Sequence, residues 1–157
     1  FMGCELAANS EWNHDGALDW PLLCDPMHAG IHRLVTDLNS ALKKHPALFA
    51  RDFSSDGFSW IVCNDADQSV LSYLRFGGEE MVVVVLNLTP VVRHHYRVGV
   101  PVAGTYREII NTDSSHYGGS NVGNIGAVVA RHEGFHSHSH SLDLTLPPLG
   151  ALVLASV

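Results

Sequence analysis

A ten-residue stretch near the start of the chain concentrates side chains that bind ligands. Residues 11–20 (EWNHDGALDW) hold two indoles, three carboxylates, one amide and one imidazole. Aromatic rings beside hydrogen-bonding groups are typical of surfaces that bind flat or sugar-like molecules. The alternative is that one or both indoles cover a hydrophobic core. This stretch is the first candidate for a binding surface.

Three carboxylates in this region, Glu5, Asp15 and Asp19, raise the question of glycoside chemistry. Such chemistry needs two carboxyl groups on either side of the scissile bond. The simpler interpretation, which we prefer, is that Glu5 and Asp15 hold the loop by hydrogen bonds while Asp19 caps or pairs locally. The chain contains no G-x-S-x-G, no P-loop, no G-x-G-x-x-G and no Cys/His nucleophile pattern. No catalytic residue is therefore assigned.

A histidine series resembles a set of metal ligands: His132, His136, His138 and His140. Alternate members would share a face if this segment were extended. However, Glu133 is the one nearby group that supports such a site, and the residues that separate His136, His138 and His140 are serines. We therefore predict solvated histidines, with no metal and no cofactor.

Composition limits the classes of partner. A chain of 157 residues with 46% hydrophobic content is long enough for one domain, or one domain plus a piece of another. The formal net charge of −7 and the sequence pI near 5.8 argue against nucleic acid or an anionic membrane as partners. Three widely spaced cysteines, Cys4, Cys24 and Cys63, predict free thiols in a reducing compartment.

The given sequence shows no targeting or membrane-spanning pattern. No signal-peptide pattern is visible, and the longest apolar run, Met81 to Leu86, is too short to cross a bilayer. We therefore predict a cytoplasmic protein. The chain opens on Phe1-Met2-Gly3, without an initiator methionine, so we expect further residues upstream.

Residues 1–45 have the pattern of one α/β unit. Residues 1–6 are apolar apart from Glu5 and predict a buried strand, which a loop through Pro21 follows. Asp25-Pro26 predicts a helix start, and apolar residues then recur at helical spacing. Lys43 and Lys44 complement the negative end of the helix dipole, and Pro46 prevents its continuation.

Residues 46–157 have the pattern of an all-β domain, with short runs of β-branched and aromatic residues between turn residues. Eight such runs predict an antiparallel sandwich with Greek-key connections. The predicted strands cover residues 58–63, 69–76, 81–87, 95–100, 105–111, 127–131, 142–146 and 151–155. The long segment 112–126 is rich in Asn, Asp, Ser and Gly, and we expect it to fold on itself through side-chain hydrogen bonds.

Several residue strings, taken together and in order, resemble the C-terminal part of bacterial 1,4-α-glucan (glycogen) branching enzymes of the α-amylase superfamily. The resemblance covers essentially the whole chain. The strings are FMGCE at 1–5, EWNHD at 11–15, LDW at 18–20, RLVTDLN at 33–39, NLTP at 87–90, REIINTD at 107–113, YGGSNVGN at 117–124 and LTLPPL at 144–149.

The resemblance implies a mainly β chain with two parts. Residues 1–45 would be the end of a catalytic (β/α)8 barrel, comprising strand 8, its loop and helix 8, and residues 46–157 the C-terminal β-sandwich. The loop after strand 8 would then be a rim of the active site, which lies at the C-terminal ends of barrel strands.

The family reaction is a retaining transglycosylation. An Asp attacks the anomeric carbon of an α-1,4 linkage while a Glu protonates the leaving oxygen, and a sugar 6-hydroxyl then accepts the chain. These residues and a third Asp belong to barrel strands 4, 5 and 7, which would lie upstream of Phe1. The resemblance therefore implies that this chain is inactive alone.

The substrate-binding candidates that the resemblance implies are Trp12, Asn13 and Asp15. Trp12 would stack on a glucosyl ring, and Asn13 and Asp15 would bond its hydroxyls, whereas we expect Trp20, beside Leu22 and Leu23, to lie in the core. The sequence departs from the family at Leu6-Ala7-Ala8, where the family has an aromatic, a small residue and Gln.

The expected partners are α-glucan and the remainder of the barrel. Without that remainder, residues 1–45 would be disordered, docked on the sandwich or buried in a dimer. Two alternatives stay open for function: a non-catalytic glucan-binding sandwich, and part of a related hydrolase of the same barrel family.

Overall fold

The computed structural model describes all residues 1–157. It contains one α-helix, α1 (Pro26–Lys44), and eight strands. The strands are β1 (Phe58–Asp65), β2 (Val70–Gly77), β3 (Glu80–Asn87), β4 (Arg93–Val100), β5 (Thr105–Asn111), β6 (Ala127–Val129), β7 (His140–Leu146) and β8 (Gly150–Ser156). Each of the eight strands predicted within residues 46–157 is present, with ends that differ from the prediction by a few residues.

The strands form an antiparallel β-sandwich. One sheet has six strands in the order β1-β2-β3-β8-β5-β6, and the other pairs β4 with β7. The chain crosses between the sheets before and after β4 and again before and after β7, and β8 returns to lie between β3 and β5, as in Greek-key sandwiches. The predicted fold class is confirmed.

The core lies between the two sheets. β3 is apolar from Met81 to Leu86, and its residues Met81 to Val85 are all buried, as expected of a central strand with both faces covered. Residues Val83 and Val85 face the main core, while Val82 and Val84 pack under Ala47 on the outer side. β7 alternates instead, with Leu142, Leu144 and Leu146 buried, so only one of its faces is covered.

Helix α1 begins and ends where the sequence indicates. The backbone N–H of Met27 donates to Asp25 Oδ1 at 2.7 Å, which makes Asp25 the N-cap, and Pro26 occupies the first turn. After the last turn, His45 Nδ1 lies 2.5 Å from Glu80 Oε1, at the start of β3. Neither α1 nor any other helix combines the length and apolar character that crossing a membrane requires.

Helix α1 is docked on the sandwich, one of the three arrangements that the sequence left open. Tyr117 Oη donates to Asp37 Oδ2 at 2.8 Å, and Arg33 Nε donates to the carbonyl of His116 at 2.9 Å. Gly30 is buried against the Tyr117 carbonyl. Burial, together with the Asp37 carboxylate, raises the pKa of Tyr117 to about 12, so its hydroxyl stays a donor at neutral pH.

The neighbouring stripe of α1 is apolar and exposed. It consists of Met27, Ile31, Leu38 and Leu42, which recur at helical spacing. Polar and small residues therefore make the hydrogen bonds and the close approach that join the helix to the sandwich, while its main apolar stripe stays exposed.

The segment after β5 folds on itself, as predicted. Asp113 accepts hydrogen bonds from the backbone N–H groups of Ser120 and Val122 and from the Ser120 hydroxyl. Asn124 bridges this segment to β7, since its amide nitrogen donates to the Thr145 carbonyl and its Oδ1 accepts from the Thr145 N–H. The loop is thereby fixed although it contains little regular structure.

The strand expected at residues 1–6 is not formed. Gly3 adopts a left-handed conformation, with φ of 90°, and Cys4–Leu6 form a 3-10 turn. A barrel strand is parallel to its neighbours and is stabilised by hydrogen bonds to them, and this chain contains no such neighbours. Hydrogen bonds within the turn, from Cys4 to Phe1 and from Leu6 to Gly3, replace the ladder.

Candidate functional site

A groove of about 300 Å³ is formed by residues 2–19 around the candidate stretch. It is partly apolar, and its lining includes Gly3, Leu6, Trp12, Asn13, Leu18 and Asp19. Gly3 has a φ of +90°, which favours glycine, and a Cβ here would also lie 2.7 Å from a Leu18 methyl group. Gly3 and Leu18 are therefore closely apposed in the groove lining.

Trp12 lies on the wall of the groove and is 47% exposed. Its indole contacts the ring of Phe1 edge-on, with centroids 5.3 Å apart, and the imidazole of His14 lies 6.0 Å away. Neighbouring rings hold the indole in place while it remains open to solvent. This is the arrangement that stacking on a sugar ring requires.

Asn13 fixes the turn that follows Trp12. Its Oδ1 accepts the backbone N–H of Asp15 at 3.0 Å, which leaves its amide nitrogen free to donate. Asp15 itself lies outside the groove lining, with its carboxylate 3.3 Å from His14 Nε2 and largely exposed. The structure thus brings Trp12 and Asn13 together on one wall and leaves Asp15 at the outer rim.

The carboxylates do not hold the loop as we expected. Neither Glu5 nor Asp15 accepts a hydrogen bond from the loop backbone, and Asn13 performs that task. Asp19 occupies the N-cap position of the 3-10 turn Trp20–Cys24 but makes no side-chain cap bond. Glu11, which the sequence did not single out, lines the groove together with Asp19.

Trp20 was predicted to lie in the core, and that prediction is wrong. Its side chain is 57% exposed. Leu22 and Leu23 are only partly buried, so the segment has no deep core to enter. A covering surface for this indole would have to come from outside the chain.

The base of the groove is tied to helix α1 by one histidine that sequence reasoning missed. His28 Nδ1 lies 2.8 Å from the carbonyl oxygen of Leu6, and Leu6 is buried. Since a carbonyl only accepts, the Nδ1 atom must carry the proton. No motif marks His28, because the contact joins residues that are 22 positions apart.

The histidine series does not converge. His132 and His140 contact each other, with Nδ1 and Nε2 3.1 Å apart, and no group of three or more ligands gathers anywhere in the structure. His136 and His138 lie in the turn between His132 and His140, and burial lowers the pKa of both.

A second aromatic surface lies on the edge of the six-stranded sheet. Trp60 on β1 is 49% exposed and contacts Phe58 edge-on, with centroids 4.9 Å apart. Tyr73 on β2 completes the cluster, 5.9 Å from Trp60 and 5.2 Å from Phe58. We call these three residues the edge aromatic cluster. Sequence reasoning placed the strands but not this cluster, since cross-strand register decides which rings meet.

Comparison with known proteins identifies the sandwich. A family model described as the alpha amylase, C-terminal all-beta domain matches residues 60–157. A crystal structure of an Anoxybacillus alpha-amylase superposes with a TM-score of 0.61 at 15% sequence identity, over 99% of this chain and 28% of that one. At this identity the likeness shows the fold alone.

Closer relatives cover the whole chain. It is 55% identical to the 1,4-alpha-glucan branching enzyme GlgB of Rhodospirillum rubrum and 53% identical to GlgB 1 of Xanthomonas axonopodis pv. citri, over 98% of its length in both cases. It spans 21% and 22% of the length of those two proteins. From the family match over residues 60–157, the chain belongs to the family of alpha-amylase C-terminal all-beta domains.

Proposed function

We propose that this chain is the C-terminal segment of a 1,4-α-glucan branching enzyme, in which it supplies a rim of the substrate site and a stabilising sandwich. The observation that carries the proposal is the identity of more than half of the residues to branching enzymes along the entire chain. The branching enzymes are about five times longer, so the reacting carboxylates would belong to the part of the protein that this chain does not include. We place the protein in the cytoplasm.

The groove supports a role in holding an α-glucan. Trp12 offers an exposed indole face for a glucosyl ring, and the free amide nitrogen of Asn13 would donate to a sugar hydroxyl. Asp15, at the rim, would accept from a hydroxyl of a neighbouring glucosyl unit. These contacts would hold a glucan chain in register while a 6-hydroxyl attacks at the catalytic centre, which makes them positioning contacts.

The exposed stripe of α1 supports the remainder of a barrel as a partner. Met27, Ile31, Leu38 and Leu42 form an unpartnered apolar surface on the helix that would be barrel helix 8. In (β/α)8 barrels, such stripes pack against the strands and adjacent helices. We place residues 1–45 in that barrel and residues 46–157 in the sandwich.

The experiment on the whole protein is a branching assay. The protein encoded by the complete reading frame around this chain should convert amylose into a product with α-1,6 branches, and this chain alone should not. A complete protein that yields only shortened linear chains is a related hydrolase. One without any activity on amylose refutes the proposal.

The experiment on this chain is titration with maltoheptaose, followed by calorimetry. We expect about millimolar affinity, because one wall of a site offers few contacts. Trp12→Ala should weaken binding about tenfold, the loss expected from one buried aromatic contact. Trp20→Ala is the matched control, since that indole is exposed outside the groove. Equal losses in the two variants would contradict a role for the groove.

The edge aromatic cluster favours a second candidate function, a glucan-binding surface on the sandwich itself. Phe58 and Trp60 are exposed and Tyr73 is half-buried. Arg75 stabilises the start of β1, because its side chain donates to the Gly57 carbonyl at 3.2 Å. Affinity electrophoresis in glycogen separates the two surfaces. Retardation that Trp60→Ala abolishes and Trp12→Ala leaves intact would assign glucan binding to the sandwich.

A further inference from the structure

Two sequence strings that resemble branching enzymes meet in space, although they are 80 residues apart. Arg33 and Asp37 on α1 bond to His116 and Tyr117 in the loop after β5, over 2.9 Å and 2.8 Å. Gly30 lies against the same loop so closely that no Cβ fits between them. The sandwich loop and the helix therefore form one tightly fitted interface.

The first turns of α1 link this interface to the groove. The Met27 sulfur lies 3.1 Å from the position that a Cβ on Gly118 would take, so the helix start rests on the loop. The next residue, His28, bonds the carbonyl of Leu6 at the groove base. Loop and groove thus contact the same helical turn from two sides.

Residues 1–17, which form most of the groove, make few other hydrogen bonds to the rest of the chain. Apart from the His28 bond, every hydrogen bond of residues 1–17 stays within those residues or reaches no further than Trp20. The 3-10 turn at Cys4–Leu6 contacts mainly α1 and the turn Trp20–Cys24. A segment held by so few contacts opens easily unless its support is rigid.

We propose that Tyr117 and Asp37 are positioning residues for the groove: by holding α1 against the loop after β5, they set where His28, and through it Leu6 and the Trp12 wall, is held. The inference rests on the proposed function only for the ligand that the groove takes. It assigns the loop at residues 111–124 a task beyond stabilising the sandwich, because the loop transmits the position of the sandwich to the substrate rim.

The test compares two tyrosines that each donate a hydrogen bond to an aspartate, one at the interface between α1 and the loop and one within the sandwich. Tyr117→Phe removes the bond to Asp37, and the matched control Tyr96→Phe removes a 2.7 Å bond to Asp65 that lies within the sandwich. Amide hydrogen exchange is measured in this chain. Tyr117→Phe should speed exchange in residues 3–19 and in α1 by about three- to tenfold, the effect of losing one hydrogen bond to a carboxylate. Tyr96→Phe should leave both unchanged.

A second pair of variants separates positioning from general loss of stability. Asp37→Asn keeps an oxygen that accepts from Tyr117 and should retain the exchange of the unmodified chain, whereas Asp37→Ala should match Tyr117→Phe. Maltoheptaose affinity should fall about threefold or more in Tyr117→Phe and in Asp37→Ala only. Exchange in strands β2 and β3 should be the same in all variants.

The outcomes distinguish this inference from the function that it extends. Faster exchange in α1 without any change in residues 3–19 would overturn the inference, as would unchanged maltoheptaose affinity in a chain whose binding Trp12→Ala weakens. If Trp12→Ala has no effect on maltoheptaose binding, the proposed groove ligand is wrong, and the exchange data alone then decide whether the loop positions the groove.

Discussion

Gly30→Ala should have two opposed effects on the docking of α1 against the sandwich: a gain in helix propensity and a steric overlap. In the interior of a helix, alanine is more favourable than glycine by about 1 kcal/mol. At this position, however, an added Cβ would lie 2.7 Å from the Tyr117 carbonyl carbon and closer still to its oxygen, whereas ordinary contacts begin at 3.4 Å. Because the obstacle is backbone, no side-chain rotation relieves the overlap.

The steric effect should exceed the gain in helix propensity. Relief requires α1 and the loop to separate by about an ångström, because the added Cβ would lie 2.1 Å from the Tyr117 oxygen. Such a separation lengthens the bonds from Arg33 to His116 and from Tyr117 to Asp37 beyond useful range. At this half-exposed interface each bond contributes about 1 kcal/mol. Lost packing around Gly30 adds to this. We therefore expect docking of α1 to weaken by about 1–2 kcal/mol net, after the gain in propensity.

Hydrogen exchange in α1 measures this docking directly. A 19-residue helix is marginal in water on its own, so an undocked α1 unfolds and its amides exchange. The expected change corresponds to about a five- to thirtyfold faster exchange in α1, with the sandwich strands unaffected. Asn39→Ala is the matched control, since Asn39 is exposed on the same helix and alanine there should slow exchange slightly.

The opposite result would refute the reasoning. If Gly30→Ala slows exchange in α1 as Asn39→Ala does, helix propensity exceeds the overlap, and the contact between Gly30 and the Tyr117 carbonyl is not a constraint. The loop would then adapt to the helix, and its proposed positioning role would lose its rigid element.

Three further predictions concern other parts of the chain. Asn87→Ala should lower the free energy of unfolding by about 2–4 kcal/mol, measured by urea denaturation, because this buried amide donates to the carbonyls of Val91 and Pro147 and accepts from Thr89. Asp113→Asn should remove a pH-dependent contribution to the free energy of unfolding. Burial raises the pKa of Asp113, but hydrogen bonds from Ser120 and Val122 outweigh burial and hold this pKa below its usual 3.8. The contribution is therefore complete above that value and is lost as the pH falls through the lowered pKa. In melting curves from pH 6 to 2, the unmodified chain should therefore be more stable than Asp113→Asn at pH 6, and the difference should shrink below about pH 5 and vanish as Asp113 is protonated. Leu38→Lys with Leu42→Lys should leave the melting temperature within about 2 °C, since both side chains lie on the unpartnered stripe, and should reduce any self-association seen by sedimentation velocity.

The sandwich could be predicted from the sequence because each strand carries its own signal. The continuous apolar run of β3 predicts a strand covered on both faces, and the alternation in β7 predicts one covered face. The N-cap Asp25 and the self-bonded Asp113 are equally local, since each bonds backbone within nine residues. Such patterns can be interpreted without knowing what lies nearby in space.

The site was predicted less completely because its decisive contacts are not local. The bond between His28 and Leu6 joins residues 22 positions apart, and the bond between Tyr117 and Asp37 joins residues 80 positions apart. His28 stands in no recognisable motif, and the strings that contain Asp37 and Tyr117 do not show that these two residues meet. Trp20 was misassigned for the same reason, because proximity to leucines in sequence does not create a core around an indole.

The two failures at the start of the chain, the absent strand at 1–6 and the exposed Trp20, have a common cause. Both require a surface that this chain does not contain: the strand requires hydrogen-bonding neighbours, and the indole requires apolar cover. The exposed stripe Met27, Ile31, Leu38 and Leu42 adds a third group with the same requirement. The residues of the sandwich, by contrast, satisfy one another. The segment 1–6, Trp20 and the stripe all lie before Pro46, which is what we expect if residues 1–45 belong to the barrel that we propose and residues 46–157 to the sandwich.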